Sequence, residues 1–304
     1  MSLFKWAYCD PEGLVFSRFR FFVFSCSLSS CFACVFADDT IRVAPVTAGF
    51  FSFPPVSATF DLAIGTNRKE GIGMKAEGKR ALLAGAGLTG TFIVWTILIQ
   101  RVDVRAAGQN GTNIGFAAFN LWFHRITGVH MTLYTVTDWL GLVPVAVCLC
   151  MGAVGMVQLI RRRSLLRVDG DILLLGLYYI LIIAGYLFFE MVPINYRPVP
   201  IDGVMEASYP SSTALLVLSV MPTLEFQLAR RGRSRKVRTA ASVFSGLFTA
   251  FMVIGRLVAG VHWATDILGS LLLGPGLFLI YRAAVQWADQ RKAGRGEENQ
   301  YGIS

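Results

Sequence analysis

The sequence predicts an all-α, polytopic membrane protein built as a bundle of six transmembrane helices. Three observations lead there. The 304 residues are 54% apolar and only 15% charged, with a mean hydropathy of +0.56, whereas a water-soluble domain carries about 25% charged residues. Six apolar stretches have the roughly 20 residues needed to cross about 30 Å of hydrocarbon. The basic residues between those stretches gather on one face. This composition excludes a water-soluble domain, a disordered chain and a nucleic-acid-binding module. The net charge of +9 then belongs to loops facing a membrane surface rather than to a nucleic-acid partner.

The spans follow in order. Residues 81–99, 139–160 and 172–189 contain no charged side chain, residues 213–229 carry only Glu225, residues 239–255 run clean up to Arg256, and residues 267–285 contain only Arg282. None alternates apolar with polar residues as a barrel strand would, and all are too long for strands. From residue 74 on, seventeen Lys and Arg residues lie before the first span, after the second, after the fourth and from Arg282 at the end of the sixth onward. Only Arg101, Arg105, Arg125, Arg197 and Arg256 lie on the other face. Positive loops stay in the cytoplasm. Both ends of the six-helix domain (74–288) and the polar tail (289–304) are therefore expected there, in a multi-pass protein of the cell membrane.

Residues 1–73 fit this scheme poorly and are expected to be an N-terminal extension. Residues 21–37 are apolar after Arg18 and Arg20, Val35-Phe36-Ala37 suits a signal peptidase, and Leu28-Ser29-Ser30-Cys31 resembles a lipid-attachment box. An uncleaved extra helix is a further reading, and so is translation from Met74. Cys9, Cys26, Cys31 and Cys34 crowd this extension while Cys148 and Cys150 sit inside a span, so the six cysteines form no disulfide framework.

Ionisable groups at membrane depth are costly and mark functional sites. Here they converge. Glu190, Arg197 and Pro198 follow the third span, Pro210-Ser211-Ser212-Thr213 opens the fourth, Arg256 closes the fifth, and His262 and Asp266 lead into the sixth. The topology drawn from basic loops alone brings every one of these groups to the same, non-cytoplasmic face. His262 and Asp266 are four apart, so on a helix they share a face. The carboxylate would then hold one ring nitrogen as N–H and leave the other as nucleophile or base. Arg197 and Arg256 are planar forks suited to phosphate oxygens, and Ser211 stands at a helix start that attracts anions. With three histidines in the chain (His124, His130, His262) and no metal-ligand spacing among them, the pattern points to phosphoryl chemistry with neither metal nor cofactor. The structural alternatives are a helix-capping pair for His262 and Asp266 and a snorkelling residue for Arg197. His124 and His130, beside Trp122 and Tyr134, suit an aromatic interfacial segment.

Arg197-Pro198, Pro210-Ser211 and Arg256-x5-His262-x3-Asp266 resemble the three signature blocks of the type 2 phosphatidic acid phosphatase (PAP2) superfamily. The resemblance spans about residues 80–286 and is strong because all three blocks stand at the proper helix ends. It implies a six-helix fold, an active site facing away from the cytoplasm and lipid-phosphate substrates. It also implies a phosphohistidine on His262, with Asp266 orienting the ring and Arg197, Ser211, Ser212 and Arg256 holding phosphate. Three positions depart from the family pattern. Glu190 occupies the place of the first block's lysine, which suits a salt-bridge partner for a neighbouring cation better than a phosphate ligand. Gly255 replaces a serine. Thr213 stands where the second block carries the histidine that protonates the leaving alcohol. A hydroxyl does not replace an imidazole of pKa near 6.5 as general acid. Either activity is reduced, or the protein binds lipid phosphates without cleaving them. A solute carrier is a third reading, without a broken helix pair to support it.

The topology is checked by cysteine labelling of intact cells. A thiol placed in the loop around Gly203 should react with an impermeant reagent and one around Ser234 should not, and the reverse pattern would invert the bundle.

Overall fold

The computed structural model describes residues 72–108 and 111–301, so the expectations for the N-terminal extension fall almost wholly outside the described residues. Among the described residues eight α-helices follow one another: α1 (Ile72–Ile99), α2 (Ala117–Thr127), α3 (Met131–Leu140), α4 (Leu142–Arg162), α5 (Gly170–Met191), α6 (Ser212–Arg230), α7 (Arg235–Val258) and α8 (Ala264–Tyr301). Among the described residues there are isolated β-bridges and no ladder. Six segments of the described residues are long and apolar enough to span a bilayer: Ala76–Ile99, Met131–Arg162, Gly170–Met191, Ser212–Arg230, Arg235–Val258 and Ala264–Ala293. The protein is an all-α, multi-pass membrane protein, as the hydropathy predicts.

Two boundaries differ from the sequence expectation. The second span begins earlier, because α3 and α4 abut at Gly141 and act as one segment. Pro144 lies in the first turn of α4, where a missing N–H costs nothing. The last helix does not stop near residue 285 but runs on to Tyr301. Its polar end pairs with the bundle. Arg230, at the end of α6, donates to Asp289 (2.7 Å) and to Asp171 (3.3 Å), tying α8 to α5 and α6.

α6 and α8 are the inner helices, with about half of their spans buried, while α1, α3–α4 and α5 turn most of their apolar side chains outward. Such exposed leucines and isoleucines suit a hydrocarbon solvent. One core cluster joins Met151 of α4, Ile172, Leu175 and Tyr178 of α5, and Phe278, Tyr281 and Val285 of α8. A second joins Phe92 and Ile99 of α1 to Tyr209, Leu215 and Leu273. Where α1 meets α8 the backbones approach closely through glycines. A Cβ added to Gly85 would lie 2.8 Å from the Gly276 carbonyl oxygen, and one added to Gly276 would lie 2.8 Å from Thr89 Oγ1. Small residues at a crossing are what let membrane helices pack without an aqueous driving force.

The long α5–α6 connection is folded on itself. Tyr196 pairs with Ala207 and Ile201 with Val204, and the two turn residues between, Asp202 (φ 52°) and Gly203 (φ 77°), both have positive φ. An Asp-Gly pair with that geometry is the preferred two-residue hairpin turn. It sets Arg197 opposite Glu206.

Gly85→Leu should lower the thermal midpoint in detergent, since overpacking of this kind costs about 1–3 kcal/mol. Gly87→Leu, whose Cβ would meet nothing within 4 Å, should leave the midpoint unchanged.

Candidate active site

The helix ends bring the predicted residues to one end of the bundle: the end of α5, the start of α6, the end of α7 and the start of α8. Arg197, Ser211, Thr213, Arg256, His262 and Asp266 are all buried, with Ser212 partly and Glu190 not.

Asp266 lies in the first turn of α8, where the helix dipole favours a carboxylate. His262 does not share that helix. It sits in the bend before Ala264, so the expected i, i+4 helical pairing does not form. The carboxylate instead turns back on its own helix start, accepting the Trp263 N–H at 2.9 Å. Asn195 Nδ2 reaches it at 3.2 Å and the Ser208 hydroxyl donates to it at 2.5 Å. His262 Nδ1 meets the Ser208 carbonyl at 3.0 Å and the Ser208 Oγ at 3.2 Å. A carbonyl only accepts, and the Ser208 proton is directed to Asp266, so Nδ1 carries the ring hydrogen. Nε2 is left with its lone pair, buried and without a partner. Asp266 therefore orients the imidazole through Ser208 rather than by touching it.

The cations converge on the same place. Arg256 is fully buried. Its Nη2 donates to Asp138 at 3.0 Å and also to Thr213 Oγ1, Nη1 donates to the Tyr134 carbonyl at 3.4 Å, and the guanidinium lies 4.8 Å from the Tyr134 ring centre. Stacking on an aromatic face is a favoured setting for a desolvated arginine. Arg197 pairs with Glu206 of the hairpin at 3.2 Å, while Glu190, expected to be a salt-bridge partner, has no ion pair among the described residues. Arg197 Nε and Nη1, Arg256 Nε and Ser211 Oγ have no protein partner although they are buried. Buried donors are normally satisfied, so this set has the character of an anion cradle. The first amides of α6, from Ser212 on, lack intrahelical acceptors and stand at the helix start beside Ser211.

Three supports come from outside the signature blocks. His124 Nε2 bonds the Gly260 carbonyl at 3.0 Å and its ring lies 5.5 Å from that of Trp263, so α2 clamps the turn leading to His262. Gly260 (φ 69°) packs against Gly128, where an added Cβ would meet the carbonyl oxygen at 2.0 Å. Trp263 Nε1 donates to the Tyr196 carbonyl at 2.8 Å. Ser208, Asn195, Asp138, Glu206 and His124 were not legible as site residues. Each is polar in a loop or at a helix end, and the only signal for Ser208 was its closeness to Pro210-Ser211.

Burial, and after it the charges of Arg197 and Arg256, holds the His262 imidazole well below its ordinary value of 6.5. The folded state therefore favours the neutral ring. Between that depressed value and 6.5 the unfolded chain binds the extra proton, so stability falls as pH drops below about 6.5. The thermal midpoint of the protein should decline on acidification from pH 6.5 to 5, and His262→Gln should show a shallower decline. Parallel curves would refute the assignment.

Among curated proteins none matches the chain. A solved structure of a transmembrane PAP2-type phosphatidylglycerolphosphate phosphatase from Bacillus subtilis is similar over 65% of this chain and 94% of that one, with 17% identity and a TM-score of 0.49. Residues 174–290, from within α5 into α8, match the model of the PAP2 superfamily, and the resemblance carried by Arg197-Pro198, Pro210-Ser211 and Arg256-x5-His262-x3-Asp266 holds.

Proposed function

We propose that the protein is a membrane phosphatase that hydrolyses a lipid phosphate or diphosphate at the extracytoplasmic face through a phosphohistidine. One observation carries the reading. A neutral imidazole with a free Nε2 is buried beside two guanidinium groups and a helix start whose donors lack protein acceptors. The basic loops, which lie at the opposite helix ends, support the sidedness.

In this mechanism the phosphate takes up Arg197 Nε and Nη1, Arg256 Nε, Ser211 Oγ and the amides at Ser212. His262 Nε2 attacks phosphorus, the bond from phosphorus to the lipid oxygen breaks, and the alkoxide leaves unaided and takes its proton from solvent water. Positive charge on the ring is shared through Ser208 with Asp266. Water then attacks the phosphohistidine, releasing phosphate and restoring the neutral imidazole. Preorganised donors in a site with little water are the main source of stabilisation for such transfers. A site at the bundle end lets the lipid chain stay in the bilayer.

A threonine hydroxyl is too weak an acid to protonate the leaving group, and that of Thr213 is buried and accepts from Arg256. This same observation favours the second reading, a lipid-phosphate-binding protein without turnover. Losing a general acid slows the affected step by about 10²–10⁴-fold. Hydrolysis should then depend on how readily the alcohol leaves unaided. p-Nitrophenyl phosphate, whose phenolate leaves without a proton, should be cleaved far faster relative to alkyl phosphates than by a relative with histidine at this position. His262→Ala should abolish release from both. Binding of lipid phosphate with no release over hours would establish the second reading instead.

A further inference from the structure

We infer that the cytoplasmic end of the bundle binds one anionic phospholipid in a groove between α5 and α8, with Arg291 and Lys292 on its phosphate. The site lies at the opposite helix ends from the phosphate cradle and does not depend on the phosphatase reading. It uses only the cytoplasmic placement of the basic loops.

The groove has a volume of about 440 Å³ and is lined by Leu174 of α5 and by Ala284, Trp287, Ala288, Arg291 and Lys292 of α8. Counted from Ala284, the α8 members fall at i, i+3, i+4, i+7 and i+8, so they share one face of the helix. Two of them are alanines, and their small side chains are what keep the groove open. The face is graded along its length. At 1.5 Å per residue Arg291 stands about 10 Å along the axis from Ala284, with the cations at one end and the small apolar residues at the other. The basic end is level with the start of α5, since a Cβ added to Gly170 would lie 3.3 Å from Lys292 Nζ. The apolar end runs into the membrane-spanning part of α8. A phospholipid of the cytoplasmic leaflet has the same polarity, with its phosphate at the surface and its chains toward the hydrocarbon.

The protein's own charges select the headgroup. Arg291 and Lys292 are exposed and form no ion pair among the described residues. The nearby carboxylates are already engaged: Asp289 with Arg230 at 2.7 Å, Asp169 with Arg162 at 2.7 Å, and Asp171 with Arg230 and Arg231. Two uncompensated cations thus border an apolar groove at a membrane surface, the arrangement that attracts anionic headgroups. A zwitterionic headgroup would bring an ammonium group that the same cations repel. Trp287 adds a donor to the wall. Its indole is exposed and packs beside the start of α1, where a Cβ added to Gly78 would lie 3.4 Å from Nε1. That N–H has no acceptor among the described residues, and an indole with one apolar side and one donor suits the headgroup level.

The test is native mass spectrometry of the full chain in detergent, titrated with dioctanoyl phosphatidylglycerol or dioctanoyl phosphatidylcholine. The wild type should retain one phosphatidylglycerol about thirtyfold more tightly than phosphatidylcholine, as two cations each contributing roughly fivefold would give. Arg291→Ala combined with Lys292→Ala should bring the ratio to near one, and Arg291→Lys should keep it. Ala288→Leu, which fills the groove and leaves the charges, should weaken retention of both lipids. Equal retention by the wild type, a preference that survives the double substitution, or undiminished binding by Ala288→Leu overturns the inference. So does a preference lost in Arg197→Ala, which would put the lipid in the phosphate cradle. Displacement by inorganic phosphate at the lipid's own concentration would show an anion site with no use for the chains, and overturns it too. Phosphate release is read in none of these arms, so the phosphatase reading stands or falls separately.

Discussion

A guanidinium group sealed from water inside an apolar bundle is the constraint around which the rest of this structure is arranged. Arg256 has no exposed surface, and an unpaired charge in such a place would cost several kcal/mol. Its neighbours are explained by that cost. Asp138 supplies opposite charge, Tyr134 supplies a ring face and a carbonyl, and Thr213 supplies a hydroxyl. These come from α3 and α6, so one side chain of α7 fixes the relative placement of three helices. The remaining donor, Nε, is what the arrangement leaves for a ligand.

The same economy of contacts recurs around His262. A carboxylate placed directly on the imidazole would be the simplest way to orient it. Here the carboxylate serves the helix start and Asn195 as well, and Ser208 carries its influence to the ring through both a hydroxyl and a carbonyl. Because the carbonyl accepts only, the tautomer is set by the backbone. A sixth-span helix, the α5–α6 connection and the turn clamped by His124 must therefore all be in register before the imidazole is aligned.

The six spans were legible because a bilayer demands long apolar runs whatever the tertiary partners are, and the motif residues were legible because ionisable groups are so rare in such runs. Arg197, Ser211, Arg256, His262 and Asp266 stood out against an apolar background in a way that Ser208 and Asn195, in a polar loop, did not. Glu190 was expected to pair with a neighbouring cation, whereas it is Glu206, folded back by the Asp202-Gly203 hairpin, that pairs with Arg197. Asp138 was invisible for another reason: it lies more than a hundred residues from the arginine it balances, and nothing in a single sequence records that distance. The i, i+4 spacing of His262 and Asp266 suggested a shared helix, but the chain between them is where α8 starts.

The clustering of Asp138, Arg197, Arg256 and Asp266 has a bearing on biogenesis. Polytopic proteins are made from the amino end onward, and Asp138 enters the bilayer edge well before the ribosome has reached Arg256. Nascent chains lacking α8 would contain the two arginines and their counter-ions but neither the carboxylate of Asp266 nor the wall that closes the cradle. The full constellation of Arg197, Arg256, His262 and Asp266 thus comes into existence only when the last helix has inserted, and a translation product cut short at any earlier point lacks it.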